Sequence, residues 1–192
     1  EMVNNAISYR CEPGSVFKTA SILTALEDGF IPDTANCKVD TGYGILEMHG
    51  AKMRDHNWHN GGYGVINVSR ILQVSSNIGV SVLIDKFYGK NPEKFVAGIH
   101  RLGLATDLKL PFPEYSAPRI RFPKRDKTGR YWSNWSKTAL PWMSIGYETQ
   151  VPPISTLTFY NAIANGGKMV KPRFVTRVEK DGEGVRGYPV GY

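Results

Sequence analysis

The chain has 192 residues, of which 41% are hydrophobic and 21% are charged. It is therefore long enough to bury a core as one domain and is not disordered by composition. The formal net charge is +7, but the basic residues form no stripe with interleaved aromatic residues, which argues against nucleic-acid binding. The longest apolar stretch, residues 71–84, is interrupted by polar residues and is too short to cross a bilayer.

The two ends of the chain are predicted to be irregular. Residues 1–14 form a leading segment without a targeting signal, and residues 179–192 are a glycine-rich tail; we expect both to be flexible. The sequence does not resemble a natural beginning, so the chain is expected to be a piece of a longer protein. Cys11 and Cys37 neither require nor exclude a disulfide bond.

Apolar residues recur at helical spacing in several segments between these ends, with turn residues at their limits. This pattern predicts helices from Ser15 to near Gly29, over 68–74, over 78–87, over 92–102 with Asn91 as N-cap and Pro92 in its first turn, and from Pro153 through Ile163.

The segments between the helices carry weaker patterns. Residues 31–48 predict short strands or loops, residues 49–64 a polar glycine-rich loop, and residues 169–178 a strand. Residues 105–136 contain many prolines and basic residues and predict a long irregular excursion. No internal repeat is present.

Ser15 and Lys18 are candidate catalytic residues. Pro13 and Gly14 predict a turn, so Ser15 lies on the first helical turn and Lys18 falls on the same face three residues later. A serine hydroxyl needs a base within reach, and a lysine can serve if it is neutral, which burial favours. A helix cap followed by a surface lysine would give the same pattern, because S-x-x-K is common by chance.

Ser75, Ser76 and Asn77 interrupt an otherwise apolar helical pattern. Small polar residues between two buried helices can mark the edge of a polar cleft. A simple capping turn between the helices is the alternative, and this triplet alone does not decide between them.

Four segments together resemble the class B penicillin-binding proteins, the monofunctional transpeptidases of cell division and elongation. They are E-P-G-S-V-F-K at 12–18, V-S-S-N-I-G at 74–79, L-P-W-M-S-I-G-Y-E at 140–148 and F-Y-N-A-I-A-N-G-G-K-M-V-K-P at 159–172. The resemblance covers roughly residues 6–178. It implies that Ser15 is the acylated nucleophile, Lys18 its general base, Ser75 a proton relay to the leaving group and Asn77 an amide that binds the substrate peptide; it assigns no role to Ser76.

The third motif of that family is K-T-G or K-S-G on an edge strand. Lys127-Thr128-Gly129 matches it literally but precedes the I-G-Y segment and is flanked by charged residues, which predicts a charged turn. We therefore expect the functional motif beyond Tyr192. The resemblance then implies a mainly α fold with minor β: the helical subdomain of the penicillin-binding and serine β-lactamase-like α/β fold, with most of the central sheet absent.

The function implied by the resemblance is serine acyl transfer on D-Ala-D-Ala stem peptides of peptidoglycan, with acylation by β-lactams. The parent would work at the periplasmic face of the bacterial inner membrane, anchored by an N-terminal helix, with divisome or elongasome proteins as partners, and this piece would be soluble. A β-lactamase or β-lactam sensor of the same fold, or a non-catalytic partner-binding module, remains open. Half of the oxyanion hole would lie outside this chain, which leaves its own activity in doubt.

No cofactor or metal is expected. His49, His56 and His59, even with Asp55 and Cys37, match no zinc-binding motif. Three tryptophans near the I-G-Y segment could line a groove, but packing in the core or a loop is the preferred interpretation: Trp132, Trp135 and Trp142.

Overall fold

Helices provide most of the regular structure in the computed structural model, which describes residues 2–192. The helices are α1 (Asn5–Ser8), α2 (Lys18–Glu27), α3 (Val68–Val74), α4 (Asn77–Tyr88), α5 (Pro92–Arg101), α6 (Ala139–Ser144) and α7 (Pro153–Ala164). Two short 3-10 turns lie at Gly14–Phe17 and Trp58–Asn60.

The strands form three separate antiparallel pairs. They are β1 (Lys38–Asp40) with β4 (Val65–Asn67), β2 (Ile45–Met48) with β3 (Ala51–Arg54), and β5 (Arg177–Lys180) with β6 (Glu183–Gly187). The predicted fold class, mainly α with minor β, is confirmed.

Helix α4 lies at the centre of the core and packs against α2, α5 and α6. Its apolar residues Ile78, Val80 and Ile84 are fully buried. Burial of one such side chain stabilises the fold by about 1.5–3 kcal/mol relative to leaving it exposed. Helix α5 approaches α2 closely at Gly98, where an added Cβ would lie 2.3 Å from the Thr24 methyl group. The core therefore fixes α2, α4 and α5 relative to one another.

The predicted excursion over residues 105–136 is irregular in the structure and is tied to the core at a few points. Arg119 pairs with Gln150 in an isolated bridge, and His100 Nε2 lies 2.9 Å from the Ile120 carbonyl oxygen. The Lys127-Thr128-Gly129 segment is an exposed turn in which the Asp126 carboxylate accepts from the Thr128 N–H at 2.8 Å. The prediction of a charged turn is confirmed.

Three predictions of local structure were wrong. Residues 49–64 were expected to form a loop, but β3 pairs with β2 through a two-residue turn at His49 (φ 51°) and Gly50 (φ 86°), the positive φ values that such hairpins need. The tail contains β6, and the strand expected over 169–178 begins only at Arg177. These strands have only four or five residues and bury at most one side chain each, so they leave little periodic hydrophobic pattern to recognise.

The leading segment contains a short helix and a backbone pairing with the core. Helix α1 buries Ile7, and Cys11 exchanges backbone hydrogen bonds with Val151. The flexibility expected of residues 1–14 and 179–192 stays a prediction. Both Cys11 and Cys37 are free thiols. Asn91 makes no side-chain cap, although Pro92 does occupy the first turn of α5 as predicted.

Candidate active site

The turn before α2 presents Ser15 to solvent and turns Lys18 inward. Gly14 has φ +63°, and residues Gly14–Phe17 form a 3-10 turn that continues directly into α2. Ser15 is exposed, whereas Lys18 is 2% exposed. The sequence prediction that both side chains share one face is confirmed, since Lys18 Nζ lies 3.1 Å from Ser15 Oγ.

A second turn brings Ser75 to the same point. Helix α3 ends at Ser75, which adopts the left-handed conformation (φ 55°, ψ 47°), and Ser76 then caps α4 by accepting from the Gly79 N–H at 2.9 Å. A left-handed non-glycine residue is strained and persists only where its surroundings hold it. Here Lys18 Nζ donates to the Ser75 carbonyl oxygen at 2.7 Å and lies 2.8 Å from Ser75 Oγ.

Lys18 is thus the common partner of two serine hydroxyls. Burial lowers the pKa of Lys18 to about 8, while the negative charge of Asp55 acts in the opposite direction. About one amine in ten is therefore neutral near pH 7, and a neutral amine can accept a proton. The arrangement can activate Ser15 as a nucleophile and pass a proton through Ser75.

Asn77 begins α4 at the edge of the same cleft and is half-buried. Its Nδ2 donates to the Arg54 carbonyl oxygen at the end of β3, at 2.9 Å. The structure therefore places all four predicted site residues around the starts of α2 and α4.

Sequence reasoning missed the support beneath these residues. Ser76, to which no role was assigned, donates to Asp55 Oδ2 at 2.8 Å, and Asp55 Oδ1 accepts from the Ile78 N–H at 3.0 Å. Both Ser76 and Asp55 are buried. The sequence analysis considered Asp55 only as a possible metal ligand. The one signal for its role is its position directly after β3, a strand that the sequence did not predict.

The I-G-Y segment supports the turn that carries Ser15. The Gly14 N–H donates to the Gly146 carbonyl oxygen at 3.1 Å. Gly146 has φ +92°, and an added Cβ would lie 2.0 Å from the Gly14 oxygen. Only glycine allows this close approach. From α7, Tyr160 Oη donates to the Val16 carbonyl oxygen at 2.8 Å.

A cavity of about 540 Å³ opens beside this turn, lined by Glu12, Trp142, Tyr147 and Glu148. Of the three tryptophans, Trp142 thus lines a cavity. Trp135 is packed in the core, as preferred from the sequence, and Trp132 is exposed.

The histidines of the β2–β4 region take local partners. His49 Nε2 lies 3.1 Å from both carboxylate oxygens of Asp85, and His56 Nε2 lies 2.8 Å from Tyr63 Oη. Within residues 2–192, no three His, Cys, Asp or Glu side chains come together as a metal site would require.

The chain is similar to known proteins in sequence and in fold. Residues 1–189 match the family model described as the penicillin binding protein transpeptidase domain. The chain is 27% identical over 88% of its length to the probable peptidoglycan D,D-transpeptidase PbpC of Pseudomonas aeruginosa, and 27% identical over 89% to PenA of Neisseria flavescens. It superposes with a TM-score of 0.72 and 29% identity on the transpeptidase domain of Burkholderia pseudomallei penicillin-binding protein 3, over 88% of this chain.

The fold and the family model define the class of this domain. The chain belongs to the penicillin-binding protein transpeptidase family, and the family predicted from the four segments is confirmed. It spans 27% and 38% of the length of the two curated relatives and 45% of that solved chain. In the part of the chain that the structure describes, no helix has the length and apolar character needed to cross a bilayer.

Proposed function

We propose that this chain carries the nucleophile and base of a peptidoglycan D,D-transpeptidase. The observation that carries the proposal is the position of Lys18 Nζ, 3.1 Å from Ser15 Oγ and 2.8 Å from Ser75 Oγ, in a buried setting that lowers its pKa. The names of the curated relatives support the same reaction class.

In the first step of the proposed reaction, Ser15 attacks the carbonyl carbon of the terminal D-Ala-D-Ala bond of a stem peptide. Neutral Lys18 takes the hydroxyl proton, and the N–H groups at the start of α2 face the negative charge that develops on the carbonyl oxygen. Ser75 passes a proton from Lys18 to the departing D-Ala nitrogen, which leaves Ser15 as an ester. Asn77 binds the peptide alongside.

In the second step, the amine of a neighbouring stem peptide attacks the ester carbonyl carbon and forms the cross-linking amide. Lys18 takes the proton of the amine and returns it to Ser15 Oγ as the ester bond breaks. A β-lactam would acylate Ser15 in the same way. We expect it to leave slowly, because within residues 2–192 no glutamate side chain hydrogen-bonds to Ser15 or Lys18 as a base for deacylation would. The family resemblance adds a second oxyanion donor from a K-T-G strand. Since Lys127 lies in an exposed turn, we expect that strand to lie outside residues 1–192.

The remaining parts of the proposal rest on the resemblance. Substrates would be peptidoglycan stem peptides and β-lactams, and partners would be membrane proteins of the divisome or elongasome, bound through the full-length protein. The site of action would be the periplasmic face of the bacterial inner membrane, with the full-length protein anchored by an N-terminal helix.

The test is labelling of the full-length protein with a fluorescent penicillin. The proposal predicts a stable adduct in the wild type, no adduct in Ser15→Ala and full labelling of Ser69→Ala, which removes an exposed serine of α3 instead. Sustained nitrocefin turnover would indicate a β-lactamase. A folded wild type that takes no label would favour a non-catalytic module, and labelling of Ser15→Ala would refute the assignment.

A further inference from the structure

Asp55 is a buried carboxylate that the proposed reaction does not use. It follows β3 directly and is 1% exposed. Burying a charge is unfavourable unless it is hydrogen-bonded. Asp55 accepts from Ser76 Oγ at 2.8 Å and from the Ile78 N–H at 3.0 Å, so both carboxylate oxygens have donors.

Both donors belong to the segment that forms the cleft edge. Ser76 follows the left-handed Ser75, and Ile78 lies in the first turn of α4. Free N–H groups and the positive end of the helix dipole make this turn a favourable partner for a carboxylate. Asp55 therefore fixes the start of α4, and with it the backbone oxygen and hydroxyl of Ser75 that contact Lys18.

Asp55 also acts on Lys18 through its charge. Lys18 is surrounded by the hydroxyls of Ser15 and Ser75 and the Ser75 carbonyl oxygen. Of the charged groups in residues 2–192, Asp55 is the one that raises the pKa of Lys18 against the effect of burial. Without that charge, burial alone would make the amine a weaker proton acceptor.

We propose that Asp55 is a positioning residue of this site: it holds the Ser75–Asn77 turn against Lys18, and its negative charge strengthens the Lys18 amine as a proton acceptor. Its catalytic meaning rests on the proposed transpeptidase function. The electrostatic coupling between Asp55 and Lys18 does not depend on that function, and it can be measured without any substrate.

The experiment is a titration of the Lys18 side chain by NMR, in full-length protein labelled with 13C at the lysine Cε and assigned with Lys18→Arg. In Asp55→Asn, which keeps the shape of the side chain, the pKa of Lys18 should fall by about 1, the lower end of the effect of a nearby opposite charge. Asp85→Asn is the matched control, because it removes a partly exposed carboxylate of α4 that binds His49. It should leave the titration of Lys18 unchanged.

Asp55→Ser is prepared in parallel, in case Asn at this buried position prevents folding, and thermal unfolding establishes that each variant is folded. An unchanged Lys18 titration in either folded variant would overturn the electrostatic part of the proposal. Ser76→Ala tests the positioning part, because it removes the hydrogen bond from Ser76 to Asp55 and keeps the charges of Asp55 and Lys18. Misplacement of the Ser75–Asn77 turn should then slow penicillin acylation at least about tenfold. An unchanged acylation rate in Ser76→Ala would overturn that part.

The outcomes separate this proposal from the function it rests on. If the wild type takes no penicillin label but Asp55→Asn shifts the titration of Lys18, the transpeptidase assignment fails and the coupling stands. If the wild type labels on Ser15 and the titration does not move, the function stands and Asp55 is only a structural cap.

Discussion

The pH dependence of acylation follows from the environment of Lys18. Burial lowers its pKa to about 8, and only the neutral amine can accept the Ser15 proton. About one amine in ten is then neutral near pH 7 and about half near pH 8, compared with about one in 3,000 at pH 7 for an ordinary lysine. The acylation rate should therefore rise about tenfold per pH unit below pH 7, about fivefold from pH 7 to 8, and less than about twofold beyond.

The assay is the observed rate constant for labelling the full-length protein with a fluorescent penicillin between about pH 6 and about pH 9.5, corrected for decay of the penicillin. Lys18→Arg provides the control, because a guanidinium keeps its proton over this pH range and cannot act as a base. This variant should be acylated at least about 100-fold more slowly than the wild type at every pH. A rate that is flat across the range, or that still rises tenfold per unit above pH 9, would refute the role of Lys18 as the base.

Three further predictions concern the stability of the fold and the Lys127-Thr128-Gly129 turn. The pKa of Lys18 is lower in the folded than in the unfolded protein, so the unfolded chain binds more protons at pH values between the two. The unfolding free energy, measured by urea denaturation, should therefore rise by up to about 3 kcal/mol from about pH 8 to about pH 10.5. This rise should be absent in Lys18→Met. Gly146→Ala should destabilise the fold by more than about 1 kcal/mol in thermal unfolding and slow acylation, because its Cβ would collide with the Gly14 oxygen. Lys127→Ala should leave acylation within about twofold of wild type, since an exposed turn residue makes no contact with the site.

Each of these three predictions has a comparison variant or an outcome that would contradict it. Gly129 also has positive φ, +83°, but nothing lies within 4 Å of an added Cβ, so Gly129→Ala isolates the strain of the backbone from the collision at Gly146. Equal losses in the two variants would contradict the close approach to Gly14. A strong loss of acylation in Lys127→Ala would contradict the interpretation of that K-T-G as a turn. A pH slope in Lys18→Met equal to that of the wild type would assign the stability change to other groups.

Site residues that lie close together in the sequence could be predicted from the sequence alone. Ser15 and Lys18 are one helical turn apart, so the helix alone brings them together. Ser75 and Asn77 were recognised because a polar triplet breaks an apolar pattern and matches a family motif. Both signals are local in the sequence, and the helices that carry them have strong apolar periodicity.

The support of the site could not be predicted, because it comes from distant segments. Asp55 meets Ser76 only after the β2–β3 hairpin folds onto α4, and the polar composition of residues 49–64 predicted a loop instead of that hairpin. The close approach of Gly146 to Gly14 likewise depends on tertiary packing. A single sequence gives the residue types at these positions but not the contacts.

The acylation site is tested most directly by peptide mapping, with mass spectrometry, of the full-length protein after reaction with benzylpenicillin. We expect a single penicilloyl adduct on the peptide that contains Ser15, formed faster at about pH 8 than at about pH 6 because of the lowered pKa of Lys18. An adduct on another residue, or no adduct on a folded protein, would contradict the claim that Ser15 and Lys18 form the acylation site.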